Sequence, residues 1–391
     1  MHLYLTDMGV INSLGVGKAE VRARLLDADQ SGMSRHGPLL TGRSTTVARV
    51  RETLAPLPDH LAEFDCRNNR LLAAALDQIA PSVAATREAV GAERIAVVIG
   101  TSTSGIAAGE EAIASLVKVG QLPSAFHYRQ QEIGMAAEFA ARYLDLPSLR
   151  YTVSTACSSS AKALASARRL LRSGRCDAAI VGGSDSLCGL TLNGFDSLDL
   201  LAPGVCNPFS VNRRGINIGE GACVFLMTKL PSAVRLYGVG ESSDGYHMSA
   251  PDPTGRGAEL ALTAALGDAG VTPDDVGYVN LHGTATPKND EMESRVIARL
   301  FGLGVPCGST KALIGHTLGA AGAQEIGLCW LLLGDGNGQR RLPRHVWDRV
   351  RDPELPAINL VDDGARWERD VFLSNSFAFG GSNTSIVIGR A

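Results

Sequence analysis

Short apolar runs alternate along this chain with segments whose apolar residues recur at helical spacing, a pattern that predicts an α/β layered fold. Ile95–Gly100 (IAVVIG) reads as a strand buried on both faces, followed by a turn of small polar residues, Thr101–Gly105. Arg150–Ser154 (RYTVS) alternates as a strand does. Cys157–Ser173 reads as a helix, with Gly174 where a left-handed cap is favoured. Ala178–Gly183 (AAIVGG) and Ala222–Thr228 (ACVFLMT) are two more buried strands. A second set begins at Leu236–Ser242, a strand, and Ala258–Ala269, an alanine-rich helix closed by Gly270. Val276–Leu281 (VGYVNL) is a strand running into His282, Gly319–Leu333 a helix of small residues. Val371–Ser374 and Ser385–Gly389 are expected to pair around a glycine-rich hairpin. The two sets follow one plan, with a break near Leu230–Ser232, so two similar halves are expected, 1–231 and 232–391.

Composition narrows the class without changing it. The 391 residues are 45% hydrophobic and 20% charged, an ordinary globular balance with room for an extensive core. The 44 glycines imply many tight turns and close backbone approaches. A net charge of −3 gives no global attraction to nucleic acid. The longest greasy stretch, Ile326–Leu333, falls far short of the roughly 20 residues a membrane helix needs. The opening residues, MHLYLTDMGV, lack the basic and apolar segments of a secretory signal, so a cytoplasmic protein without a membrane partner is expected. Eight cysteines, at 66, 157, 176, 188, 206, 223, 307 and 329, form no CxxC and no Cys/His metal spacing; no metal is expected.

Cys157 differs from the other seven by its place. In Val153-Ser-Thr-Ala-Cys-Ser-Ser-Ser160 it sits where a strand turns into a helix. Unpaired amides and the helix dipole at such a start lower a thiol's pKa and can hold an oxyanion. A buried structural cysteine is the competing account. His282, just past a buried strand in Leu281-His-Gly-Thr-Ala-Thr-Pro-Lys-Asn-Asp290, and His316, in Ser309-Thr-Lys-Ala-Leu-Ile-Gly-His316, are each as well explained by structure as by chemistry when taken singly. Lys311 and Glu325 lie in apolar surroundings and need partners, either each other or His316. Ser374-Asn-Ser-Phe-Ala-Phe-Gly-Gly-Ser-Asn383 is a loop with aromatics that could open and close a channel.

Together these segments become specific. TACSSS at 155–160, HGTATPKND at 282–290, STKALIGHTLGAAGAQE at 309–325 and NSFAFGGSN at 375–383 resemble, in order and spacing, the motifs of the elongating β-ketoacyl-acyl carrier protein synthases of the thiolase superfamily. The resemblance spans nearly the whole chain. It implies the five-layered αβαβα thiolase-like fold built from two similar halves. It implies that Cys157 takes an acyl chain from acyl carrier protein as a thioester, and that His282 and His316 promote decarboxylation of the malonyl thioester and stabilise its enolate. Lys311 and Glu325 match the supports of His316, and Thr284 and Thr286 the residues beside the phosphopantetheine arm. Phe377 and Phe379 match the gate, with the amides of Phe379 and Cys157 as the oxyanion hole. No cofactor is implied beyond the carrier's own arm.

Arg67 and Arg70 fall where the family has basic carrier-docking residues; Arg168, Arg169, Arg172 and Arg175 could join them, but a solvated helix face accounts better for those four. The family is dimeric, so a homodimer or a heterodimer with a chain-length-factor-like subunit is expected. The chain departs from the pattern at Ala285 and Ala378, both at glycine positions, at Cys223 in GEGAC, and in Asn207-Pro-Phe-Ser210 for RPFD. None of these removes a catalytic group. They point away from housekeeping fatty-acid synthesis toward the branch making aryl polyene or xanthomonadin-type pigments. The alternative, a non-catalytic chain-length-factor type of subunit, usually lacks the cysteine.

Overall fold

The computed structural model describes all 391 residues. The first half runs β1 (Leu3–Asn12), the two-residue β2 (Gly15–Val16), α1 (Lys18–Leu26), the small hairpin β3 (Met33–His36) and β4 (Thr45–Ala48), and α2 (Arg67–Val90). It continues through β5 (Ile95–Gly100), α3 (Ile106–Val119), α4 (Met135–Tyr143), β6 (Arg150–Val153), α5 (Ser159–Arg172), β7 (Ala178–Asp185), α6 (Gly189–Ser197) and β8 (Gly221–Thr228). The second half runs β9 (Val234–Ser243), α7 (Arg256–Ala269), β10 (Val276–Asn280), α8 (Pro287–Phe301), β11 (Cys307–Gly308), α9 (Lys311–Ile314), α10 (Ala321–Leu333), β12 (Val371–Phe377) and β13 (Ser382–Arg390).

Strand order exposes the duplication. The first half is ordered β6-β5-β7-β8-β1 and the second β11-β10-β12-β13-β9. In each, the three strands at the outer edge are parallel and the remaining pairs antiparallel. The halves join where β1 meets β9 through Leu3–Leu236 and Tyr4–Arg235. Parallel strands need both faces covered, and β5, β7 and β10 are buried along their whole length. Helices α2 and α4 cover one face of the first half; α7 and α8 cover the outer face of the second. Between them lie α5 and α10, packed on each other and on strands of both halves. The result is five layers, α/β/α/β/α.

The middle layer accounts for the small residues of α10. Twelve of its thirteen residues are buried, so it has no polar face and sits inside the protein. A Cβ at Gly322 would lie 2.7 Å from that of Ala161 on α5, and one at Gly327 would lie 2.7 Å from the sulfur of Cys223. Cys223 therefore fills the notch that Gly327 leaves, a packing role for one departure from the family pattern. The boundaries read from sequence hold closely for β5, β7, β8, β9, β10 and α7. The long α2, which carries Pro81 in its interior, has no counterpart among the elements that the apolar pattern predicts.

Candidate active site

Cys157 precedes α5 rather than opening it. Ala156 takes a left-handed conformation (φ 50°), and the serines expected in the helix fold back onto the turn. Ser159 Oγ donates to the Ala156 carbonyl (2.6 Å) and accepts from the Thr155 amide (2.9 Å), while Ser158 Oγ donates to the Thr155 carbonyl (2.9 Å). Such side-chain bonds compete with helical ones, so α5 starts at Ser159. Arg172 ends it, with Gly174 in the left-handed conformation at φ 72°.

The two histidines arrive on loops from the second half. His282 follows β10, and its amide and that of Gly283 donate to the Glu293 carboxylate on α8 (2.8 and 2.7 Å). His316 is clamped by backbone alone, donating to Asn217 O (2.6 Å) and accepting from Gly219 N (2.9 Å). Gly315 makes that clamp possible, because at φ 64° a Cβ there would sit 2.9 Å from Gly219 Cα. The three side chains converge. His316 Nε2 lies 2.9 Å from Cys157 Sγ, and the two imidazole centroids are 5.3 Å apart, edge to face. The sulfur and one ring nitrogen from each histidine all lie within 4.8 Å of one another.

Burial sets the charge states. Desolvation, reinforced by the Lys311 charge, holds both histidines well below the usual imidazole range, so both rings are neutral. Desolvation pushes the Cys157 thiol up to about 11, against the opposing pull of Lys311 and the amides of Phe379 and Cys157 itself. The low thiol pKa expected from position is therefore overturned: burial outweighs the helix start. The resting group is a thiol with a neutral histidine against it.

Lys311 and Glu325 pair with each other, not with His316, and both side chains are only 1% exposed. Burial pushes Glu325 up to about 7 despite Lys311, and its Oε2 has no partner. A cavity of about 390 Å3 leads from the surface to Cys157, lined also by His282, His316, Thr284, Thr286 and Phe379. The Thr284 and Thr286 hydroxyls share a hydrogen bond of 2.9 Å. Ala285 between them is held at φ 64°, where glycine is favoured, with its amide on Asp290 (3.2 Å). Ala378, by contrast, is extended at φ −104° and carries its methyl without strain. Gly380 and Gly381 do need glycine (φ 80° and 75°), and the Phe379 ring rests on Phe195 at 5.6 Å. Phe377 packs edge-on against His282 at 6.0 Å.

The arginines that fall at carrier-docking positions carry ion pairs. Arg67 is gripped by the buried Glu220 carboxylate (2.6 and 2.8 Å) and Arg70 by Asp65 (2.5 and 2.7 Å), so neither is a free cation. Arg49 and Arg51, in the same surface cleft, have no carboxylate partner. Arg169, Arg172 and Arg175 are exposed, whereas Arg168 is buried and pairs with Asp268; Arg169 also pairs with Glu241 (2.5 Å), so α5 is tied to the second half.

Sequence reading missed the carboxylates that hold the site. Besides Glu293, Asp290 accepts from the Phe209 amide (2.8 Å), and burial raises it to about 6. Asp185 accepts from Thr101 Oγ1 (2.7 Å), from the amides of Ser102 (2.8 Å) and Thr103 (2.7 Å), and from Ala320 N (3.0 Å), joining the halves beside Cys157. Acids at the ends of buried strands or in the first turns of a buried helix were the available signal.

A duplicated five-layered fold with a buried Cys–His–His cluster at its centre defines a thiolase-like condensing architecture. Residues 28–233 match the family model "Beta-ketoacyl synthase, N-terminal domain" and residues 234–340 its C-terminal domain; the chain belongs to the β-ketoacyl synthase family. It superposes on the ketosynthase (ApeO) solved in complex with its chain length factor (ApeC) from Xenorhabdus doucetiae. The TM-score is 0.95 at 46% identity, over 100% of this chain and 98% of that one. It is 35% identical over 260 residues to Nodulation protein E of Rhizobium leguminosarum bv. trifolii, an alignment covering 63% of each protein. It is 31% identical over 319 residues to 3-oxoacyl-[acyl-carrier-protein] synthase 2 of Coxiella burnetii, 76% of each. No helix is long and apolar enough to cross a membrane.

Proposed function

We propose that this chain is the catalytic ketosynthase of a condensing pair, joining an acyl group held on Cys157 to a malonyl unit carried by acyl carrier protein. The observation that carries this reading is the convergence of Cys157 Sγ, His316 Nε2 at 2.9 Å and the neutral His282 ring in one cavity. In loading, the thiol proton passes to His316 as sulfur attacks the carrier thioester, and the carrier's thiol leaves. The tetrahedral oxyanion faces the amides of Cys157 and Phe379. The malonyl thioester then enters past Thr284 and Thr286 and loses CO2. Its enolate oxygen accepts a hydrogen bond from the neutral His282 imidazole, and the enolate carbon displaces sulfur from the Cys157 thioester as a thiolate, which regains a proton from solvent by way of His316 to restore the thiol. Burial keeps both imidazoles neutral, and the charge of Lys311, paired to Glu325, reinforces it. A non-catalytic partner has no need of this arrangement.

The likeness to a ketosynthase solved with its chain length factor supports a heterodimer with such a subunit and a pathway outside housekeeping fatty-acid synthesis. His316 touches the sulfur whereas His282 carries no hydrogen bond to it, which supports assigning proton transfer in loading to His316 and enolate stabilisation to His282. His282→Ala is expected to load Cys157 at near wild-type rate yet yield no condensation product from malonyl-acyl carrier protein. Equal loss of both steps would contradict this division.

A further inference from the structure

From the hydrogen-bond geometry we infer that His345, far from the reacting atoms in sequence and on none of the motifs, is a positioning residue that fixes the His282 loop against the Lys311–His316 segment; the inference rests on the condensing role proposed above. His345 is 2% exposed. Its Nδ1 accepts the backbone N–H of Ser309 (3.1 Å), and its Nε2 faces the carbonyl of Pro208 (3.1 Å). A backbone N–H only donates and a carbonyl only accepts, so these partners fix the neutral ring with its proton on Nε2. Burial holds the ring neutral, at about 4.

Each partner leads to the catalytic loop. Ser309 Oγ donates to the Gly283 carbonyl (2.7 Å) and accepts from the Lys311 amide (3.2 Å), so one side chain ties the residue after His282 to the start of α9. Pro208 precedes Phe209, which is held in a left-handed conformation at φ 64°. The Phe209 ring packs 6.0 Å from His345 and also walls Gly283, where a Cβ would lie 3.0 Å from it. His345 thus grips both residues that press on Gly283. Without it, the Ser309 amide is buried with no acceptor and the Phe209 turn loses its latch. The His282 imidazole then loses its fixed aim. Cys157 hangs from the β6–α5 turn, and His316 is held by the backbone of Asn217 and Gly219, both outside this clamp, so acyl loading does not depend on it.

The test uses the intact protein with its partner subunit and purified carrier proteins. Intact mass follows acyl loading of Cys157, and product analysis follows condensation. His345→Ala is expected to lower the condensation kcat by between about tenfold and a hundredfold, the scale of an ångström-sized misplacement. The KM for malonyl carrier and the loading rate should stay within about threefold on the same argument. His345→Asn, whose amide oxygen can replace Nδ1 toward Ser309, should restore most of the rate, while His345→Gln, which reaches only Pro208, should not. Equal losses in loading and condensation, or an Asn variant as poor as Ala, would overturn the inference even where thermal melting shows Ala to be unstable. An unchanged Ala variant beside an active wild type sinks this inference alone; a wild type that loads but never condenses sinks the functional reading and this inference with it.

Discussion

Replacing Glu293 by glutamine isolates the charge that anchors His282. The carboxylate is buried and accepts two backbone amides, yet burial raises it from an ordinary 4.5 to about 7. Between those values the folded state binds more protons than the unfolded chain, so wild-type stability falls as pH rises through the window. Roughly 2.5 pH units at about 1.36 kcal/mol each give a loss on the order of 3 kcal/mol, complete above pH 7 and absent below 4.5. Glutamine removes that slope. It also turns an NH2 toward one of the two amides, leaving a buried donor without an acceptor at a cost of about 1–3 kcal/mol. At pH 5 the variant should therefore be the less stable protein by about that amount, and at pH 8 the two should be nearly equal or reversed. Denaturant unfolding at both pH values measures the difference directly, since groups common to both proteins largely cancel. A stability difference that stays constant from pH 5 to pH 8 would refute the reasoning, because Glu293 would then carry no charge cost.

Four further outcomes follow from the same geometry. Lys311→Met removes the partner of a buried carboxylate and should destabilise the fold by about 3–5 kcal/mol at pH 8, less at pH 6 where Glu325 can protonate; calorimetry at both values tests this. Alkylation of Cys157 by iodoacetamide, followed by mass, should accelerate steadily from pH 7 to pH 10, since the thiol sits at about 11; a plateau near pH 7 would mean a thiolate at rest. Ala285→Gly should change stability by less than about 1 kcal/mol, because relief at φ 64° is offset by the loss of a buried methyl packed among Ala202, Cys206 and Ala312. Gly381→Ala should slow acyl loading markedly, because a Cβ at φ 75° meets Asp244 Cβ at 2.8 Å and displaces the Phe379 loop; stopped-flow loading rates report it.

Much of the fold was legible because buried strands such as Ile95–Gly100 declare themselves by unbroken apolar runs. The duplicated plan was legible for the same reason, since both halves repeat one succession of runs and helices. The start of α5 was not, because Ser158 and Ser159 bond to the turn instead of extending the helix, a choice made by side chains rather than by periodicity. Cys157, His282 and His316 could be read from their ordered neighbours. The sign of the thiol's shift could not, since position argued for a low value and only three-dimensional burial shows desolvation to be the larger effect. The arginines' ion pairs were hidden for a related reason: Arg67 and Arg70 look free in sequence, and only folding brings Glu220 and Asp65 against them. Glu293 and His345 escaped notice because their work is done on backbone amides, which leave no trace in side-chain patterns.

The central claim is that Cys157 is the atom that holds the growing chain. Incubation of the protein and its partner with an acyl-acyl carrier protein, followed by intact mass and peptide mapping, measures this directly. The account predicts one acyl adduct, on Cys157, absent from Cys157→Ala and discharged as an elongated product when malonyl-acyl carrier protein is added. An adduct on another of the eight cysteines, or an adduct that malonyl-acyl carrier protein leaves in place, would contradict it.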